Sequence, residues 1–326
     1  MAARGVPGVG ALIDQACSRD EHLKPSPWTL AIGYRFQPSS RHFVGTVEQV
    51  QREINKNQIQ NVYHLWDISV ERQLTPRWSV NGSLPILFAY RDQLYAPVAK
   101  YHVRGIGDAT VGVRAWIFNP QSETTRDNIS VGISLKMPTG KADSTANALD
   151  RTGKPVVATA DQSVQAGDGG TGFAVDIQAY HHTYFSTLLY FSATYLFNPR
   201  DTNGVNSFRT APGEMVLSVT DQYLYRGGLA HAVPKVRGLA ASVGGRMEGV
   251  PVRDAFGGSN GFRRPGYGIS VEPGVMYAKG KYTFAATAPL TVERNRKTSV
   301  ADYQNHRHGD AAFADFSLIF SAARRF

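Results

Sequence analysis

The chain has 326 residues, of which 42% are hydrophobic, and carries a formal charge of 35 − 26 = +9. That length is enough to bury a large core or to close a large barrel. No run of about 18 apolar residues occurs, which excludes a helical membrane protein, and the scattered basic residues form no nucleic-acid-binding motif.

Residues 1–27 carry no strand pattern. Gly5–Ile13 is weakly apolar, short and broken by Pro and Gly, and Asp14 ends it. This is a poor export-signal core, so an exported chain would need a different leader. Cys17 is the single cysteine, which rules out an internal disulfide, and no small-residue lipidation box precedes it. Residues 1–27 are expected to form a loose tail or a lumen plug, with Gly10–Lys24 as a short helix.

From Trp28 onward, apolar residues recur with period two, the signature of strands that are greasy on one face. The first run is Trp28, Leu30, Ile32, Tyr34, Phe36. Val62, His64, Trp66, Ile68 and Val70 follow, against Tyr63, Asp67, Ser69 and Glu71. After the turn Thr75-Pro76-Arg77 come Trp78, Val80, Leu84, Ile86, Phe88 and Tyr90. The next faces are Ala109–Ile117 and Ile129–Met137, separated at Asn119-Pro120. Pro138–Gly170 is too polar for a packed strand and too long for a simple turn, so it is expected to be a functional loop. Phe173–Ala179 and Leu189–Phe197 resume the pattern. The run Glu214–Arg226 is irregular, because Asp221 shares the face of Met215, Leu217 and Val219. A bulge or a membrane boundary there would repair it. Leu239–Met247, Tyr267–Tyr277, Tyr282–Leu290 and a last run from Phe316 complete the series.

These are about twelve strands, and their connections sort by length. Arg226–Arg237, Ala278–Lys281, His181–Phe185, Asn119–Asn128 and Thr75–Arg77 lie on one side. The longer segments Gln37–Gln60, Arg91–Gly107, Pro138–Gly170, Asn198–Gly213, Val250–Pro265 and Glu293–Asp310 lie on the other. An even strand number, short turns on one side and long loops on the other match a closed antiparallel up-and-down transmembrane β-barrel. The 32 glycines and 15 tyrosines suit a crowded wall with aromatic girdles, and a mean hydropathy of −0.27 is no obstacle to strands that alternate.

The last run places Phe316, Leu318, Phe320 and Ala322 on one parity and ends on Phe326. It resembles the C-terminal signal of bacterial outer-membrane barrels. That resemblance implies an outer-membrane location, contact with the barrel-assembly machinery, and surroundings of lipid and lipopolysaccharide, whose phosphates the positive charge would suit. Three further segments narrow it: Leu74-Thr75-Pro76-Arg77-Trp78 through Leu84-Pro85, Gly105-Ile106-Gly107-Asp108, and Gly132 through Leu135-Lys136-Met137-Pro138-Thr139-Gly140-Lys141. Together these are similar to segments of the meta-pathway phenol-degradation type of outer-membrane transporter. The similarity spans residues 28–326 and implies passive passage of small solutes, hydrophobic or aromatic compounds among them.

The inward parity of these strands carries Arg35, Asp67, Glu71, Arg114, Lys136, Asp176, Gln178, Arg246, Glu248, Glu272 and Asp315. They are the lumen-lining candidates. Both signs are present, so they read either as a salt-bridge network that stiffens the wall or as a polar path that orients a solute. Twelve strands place the lumen between filled eight-stranded barrels and open porins, so a narrow or plugged channel is expected. Passive passage needs no cofactor.

Two other functions compete. An outer-membrane hydrolase would carry its site on a loop, where His102, His306, His308 and Asp310 fall, and Asn305–Asp310 has the residue types of a metal site. No serine sits in a recognisable catalytic motif, and Gly167–Gly170 lacks the Lys-Ser/Thr of a phosphate loop, so no catalytic or metal residue is assigned. A barrel serving only as an anchor or adhesin is the other alternative.

Overall fold

A computed structural model describes residues 28–120, 122 and 125–326. The expected tail or plug at 1–27, with Cys17, lies outside the described residues.

Twelve antiparallel strands close on themselves. They are β1 (Trp28–Ser39), β2 (Ile59–Gln73), β3 (Trp78–Gln93), β4 in two segments (Ala99–Ile106 and Thr110–Trp116), β5 (Asp127–Lys136) and β6 (Gly172–His182). Then follow β7 (Thr187–Phe197), β8 (Gln222–Ala232), β9 (Leu239–Val250), β10 (Gly266–Lys279), β11 in two segments (Tyr282–Thr287 and Leu290–Arg296) and β12 (Leu318–Arg325). Each strand pairs with the next, and β12 returns to β1 with Tyr34 opposite Phe320. Among the described residues closure pairs the lower wall on both sides, as a spanning sheet in lipid requires, whereas the upper segments Ala99–Ile106 and Leu290–Arg296 are ladder-paired on one side only.

The greasy parity faces outward. Trp78 is 51% exposed, Ile133 56% and Phe320 48%, with Phe88, Val131 and Phe191 likewise exposed. An aromatic girdle rings the outside toward the long loops. Tyr34 lies 4.6 Å from Trp66, and the edge-on contacts His64–Tyr90 and Tyr90–His102 continue it. At the short-turn end Arg324 sits over Tyr282 and Phe326, and Arg72 over Trp28. An apolar band between two aromatic girdles is the outer surface of a transmembrane barrel.

Two strands break, and each break faces a proline in the strand alongside. In β4 the Gly107 N–H donates to the Pro85 carbonyl of β3 at 2.7 Å. In β11 the Ala288 N–H donates to the Pro273 carbonyl of β10 at 3.0 Å. Proline gives no N–H to a ladder, so the neighbouring strand has no donor to follow there and bends away.

The wall also extends past the membrane on the long-loop side, where the sequence pattern indicates loop. Arg91–Gly107, expected as one external segment, is the top of β3, a short turn at 94–98 and the first segment of β4. The alternation inverts there. Lys100, His102 and Arg104 face out, whereas Tyr101 and Val103 are buried. Above the bilayer the outside meets water and the inside packs on a loop, so polarity by parity reverses. At Asp221 the repair is a boundary and not a bulge. β8 begins at Gln222, and Val216–Ser218 belongs to a separate pairing with Thr202–Asn206.

The long loop 137–171 is structured. Thr145–Leu149 pairs with Pro155–Thr159, and the chain then turns inward. Ala160, Asp161, Val164 and Ala166 are fully buried against Leu87, Ala89, Tyr101 and Val103 of the wall. A second buried apolar cluster lines the inside nearer the short turns: Trp116, Tyr180, Leu188, Tyr190, Ala230, Ala240 and Met276.

Candidate functional site: a charged lumen and a loop-sealed mouth

The barrel interior is crossed by a ladder of ion pairs. Arg35 on β1 donates to Glu248 on β9 at 2.6 Å, across the lumen. Arg246 donates to the same Glu248 at 2.8 Å and lies 3.8 Å from Glu272 on β10. Arg226 on β8 reaches over β9 to Glu272. All five side chains are largely buried. Three guanidiniums therefore face two carboxylates, which leaves this girdle one charge positive.

Arg114 and Asp176 pair at 3.0 Å although they sit on β4 and β6, with β5 between them. The residue between them in register is Gly132. A Cβ there would fall 2.2 Å from Asp176 Oδ1, so only glycine lets the pair close over the strand. Gln178 is buried one step further along the same face of β6.

Lys136 ties the wall to the loop. Its Nζ bonds both carboxylate oxygens of Asp168 and lies 3.8 Å from Asp108. The segments that carry the family resemblance meet at this point. Thr139 donates to the Gly107 carbonyl at 2.7 Å, the Gly140 N–H to Asp108 at 3.0 Å, and the Asp168 N–H to Asp108 at 3.1 Å. Gly140 and Gly167 are in backbone contact, with no room for a Cβ on either. Gly167–Gly170 thus packs a loop onto a strand break.

The mouth is pinned by Asp161, which is fully buried. Arg264 forks onto it at 2.5 and 2.6 Å, and Arg91 lies 3.4 Å away. Burial alone would push the Asp161 carboxyl up; the Arg264 and Arg91 guanidiniums outweigh it and hold the group well below the usual carboxylate range. His42, at the same rim, is pushed down to about 4, chiefly by burial and against the pull of Asp310. Arg91, Arg264 and His42 border a mouth cavity of about 110 Å³, with Asp161 buried behind them.

The remaining candidates are dispersed. Asp67 is half-buried on β2, with Oδ1 lacking a hydrogen-bond partner. Glu71 lies on the same face toward the short turns. Asp315 precedes β12 and is not part of the wall; it caps the end of β1, accepting from the Ser40 N–H at 3.1 Å and Ser40 Oγ at 3.0 Å. The loop histidines have separate surroundings. His102 is on the outer girdle, His308 Nε2 meets the Arg296 carbonyl at 2.7 Å, and Asp310 pairs with Arg52 at 2.5 Å. His306 lies in an exposed turn. Among the described residues no cluster of His, Cys, Asp or Glu has metal-binding geometry.

Sequence reasoning missed Arg226, Arg91, Arg264 and Asp161. Arg226 lay in the run that Asp221 obscured. The other three are on segments where the alternation inverts or stops. The sequence does hold one signal for the Arg114–Asp176 pair: a glycine on the inward parity of the intervening strand.

Closed antiparallel wall, apolar outside and charged inside, define the architecture of an outer-membrane β-barrel. The chain is similar in fold to the COG4313 outer-membrane channel from Pseudomonas putida F1, with a TM-score of 0.64 and 11% identity over 94% of this chain and 97% of that one. It is also similar to the β domain of the Bordetella autotransporter BrkA, with a TM-score of 0.51 and 13% identity over 93% of this chain and 100% of that one. No protein-family model matches the chain, and no curated protein does.

Proposed function

We propose that the chain is an outer-membrane channel for passive passage of small solutes, hydrophobic or aromatic ones among them, and not an enzyme. The observation that carries this reading is the interior. Charged side chains from β1, β4, β5, β6, β8, β9 and β10 project into the lumen and are paired with one another and with an inserted loop. A solute path needs weak, distributed polar contacts, and this lining supplies them. The inner cluster of Trp116, Tyr180 and Tyr190 is packed and buried nearer the short turns, with Trp116 and Tyr180 5.7 Å apart, so the lumen narrows to an aromatic lining there. The fold likeness to a protein described as an outer-membrane channel supports the same reading. In this setting lipid and lipopolysaccharide surround the wall, and the barrel-assembly machinery inserts it.

Planar-bilayer recording on refolded protein tests the proposal. Discrete conductance steps are expected. Absence of steps, together with ester or peptide hydrolysis that disappears in His306→Ala or His308→Ala, would replace it with the hydrolase reading.

A further inference from the structure

We propose that the mouth cavity is a docking site for a small aromatic anion, with Arg209 receiving its carboxylate. This deepens the channel reading by naming the class of solute that first engages the protein.

Charge is unevenly matched around the cavity. Its border includes the guanidiniums of Arg91, Arg209 and Arg264 and the carboxylates of Glu248 and Asp310. Both carboxylates are already taken, Glu248 by Arg35 and Arg246 and Asp310 by Arg52. Arg91 and Arg264 share Asp161. Arg209 is left over. Among the described residues its guanidinium has no carboxylate within ion-pair distance and donates no hydrogen bond, and its Nε is sealed from solvent without a partner.

Arg209 is nonetheless held in place. It lies over the rings of Phe208 and Phe262, 5.1 and 5.0 Å from their centroids, and Arg264 lies 4.6 Å from the Phe262 centroid. Such stacking fixes a guanidinium without using its hydrogen-bond donors. Two positive groups on one ring, with one carboxylate for three guanidiniums, make the mouth electropositive, and low-dielectric walls strengthen that field. A fixed, unspent arginine fork is the geometry that takes a carboxylate through two bonds.

Size and lining supply the other half. Tyr63, Tyr95 and Phe313 also border the cavity, whose volume is about 110 Å³. A cavity of roughly 150 Å³ holds benzene. The mouth cavity is smaller than that and partly open, so it excludes a fused pair and takes a single ring only with part of the molecule projecting toward the rim. One ring among Tyr63, Tyr95 and Phe313 with its carboxylate on Arg209 satisfies both features. The charge excess of the girdle below, three arginines to two glutamates, favours the same sign deeper in the lumen.

Isothermal titration of the full chain in detergent with benzoate, benzyl alcohol and acetate tests this. Benzoate is expected to bind at least tenfold more tightly than either the neutral ring or the ringless acid. Arg209→Gln should weaken benzoate at least tenfold, and Arg209→Lys less than that. Equal binding of benzoate and benzyl alcohol by the unaltered chain, or undiminished benzoate binding by Arg209→Gln, would overturn the proposal. Bilayer conductance of the same preparation keeps the two readings apart. Steps without benzoate binding sink the anion site and leave the channel; benzoate binding without steps does the reverse.

Discussion

Asp161→Asn removes the charge that holds the inserted loop in the mouth while keeping the side chain's shape. In the folded chain two arginines converge on this carboxylate, which has no solvent exposure. Removing one partner of a buried ion pair costs about 3–5 kcal/mol, because the other charge stays desolvated. Asparagine keeps one acceptor, so the lower end applies, and about 3 kcal/mol is roughly a hundredfold in the equilibrium between pinned and released loop. The wall itself does not depend on this contact. Release should therefore be local, over 160–166, while Asp168 stays bound to Lys136. Hydrogen exchange of the 160–166 amides should speed up, and single-channel conductance should rise. The pH dependence has a fixed sign. A carboxyl whose value is depressed in the fold stabilises it above about pH 3.9, the unfolded value, and loses that contribution only as the pH falls further. Asp161 itself should accordingly contribute no change in conductance from about pH 8 to about pH 4, and Asp161→Asn should be higher throughout. Unchanged exchange and conductance in the variant would refute the claim that Asp161 pins the loop.

Four further outcomes are expected. Val131→Arg, on the lipid face of β5, should cost about 2–4 kcal/mol if it sits near mid-membrane, read from folding into vesicles. Gly132→Ala should force Asp176 off Arg114, costing about 1–3 kcal/mol as an overpacked site does, with Asp176→Ala restoring fit in the double variant. His42 is buried neutral, so the rim should lose stability as the pH falls from about 6.5 toward 4 and no further, and His42→Gln should abolish that dependence in exchange measurements. Lys136→Glu and Arg246→Glu should separate: Arg246→Glu shifts the reversal potential toward cations, whereas Lys136→Glu frees Asp168 and changes conductance instead.

The wall was legible because each strand's pattern is local. A lipid-facing parity repeats every two residues, and Trp78, Phe88, Val131 and Phe320 declare it without reference to anything distant in the chain. The pattern fails where the solvent changes. Above the bilayer the rule inverts, so Tyr101 and Val103 read as loop although they lie in a strand, and Asp221 looks like an error in a strand when it marks the strand's start. The interior was legible by sign and not by pairing. Arg35 and Glu248 lie 213 positions apart and meet only because the sheet closes; nothing near either residue specifies the other. Asp161 is harder still, a lone aspartate in a polar loop whose partners come from β3 and from the loop after β9. Its importance follows from closure plus insertion, two events that a period-two reading does not contain. The unmatched arginine is hidden in the sequence for the same physical cause. Arg209 is one of 35 basic residues in the sequence. It stands out only once every carboxylate around the mouth has been assigned to another cation.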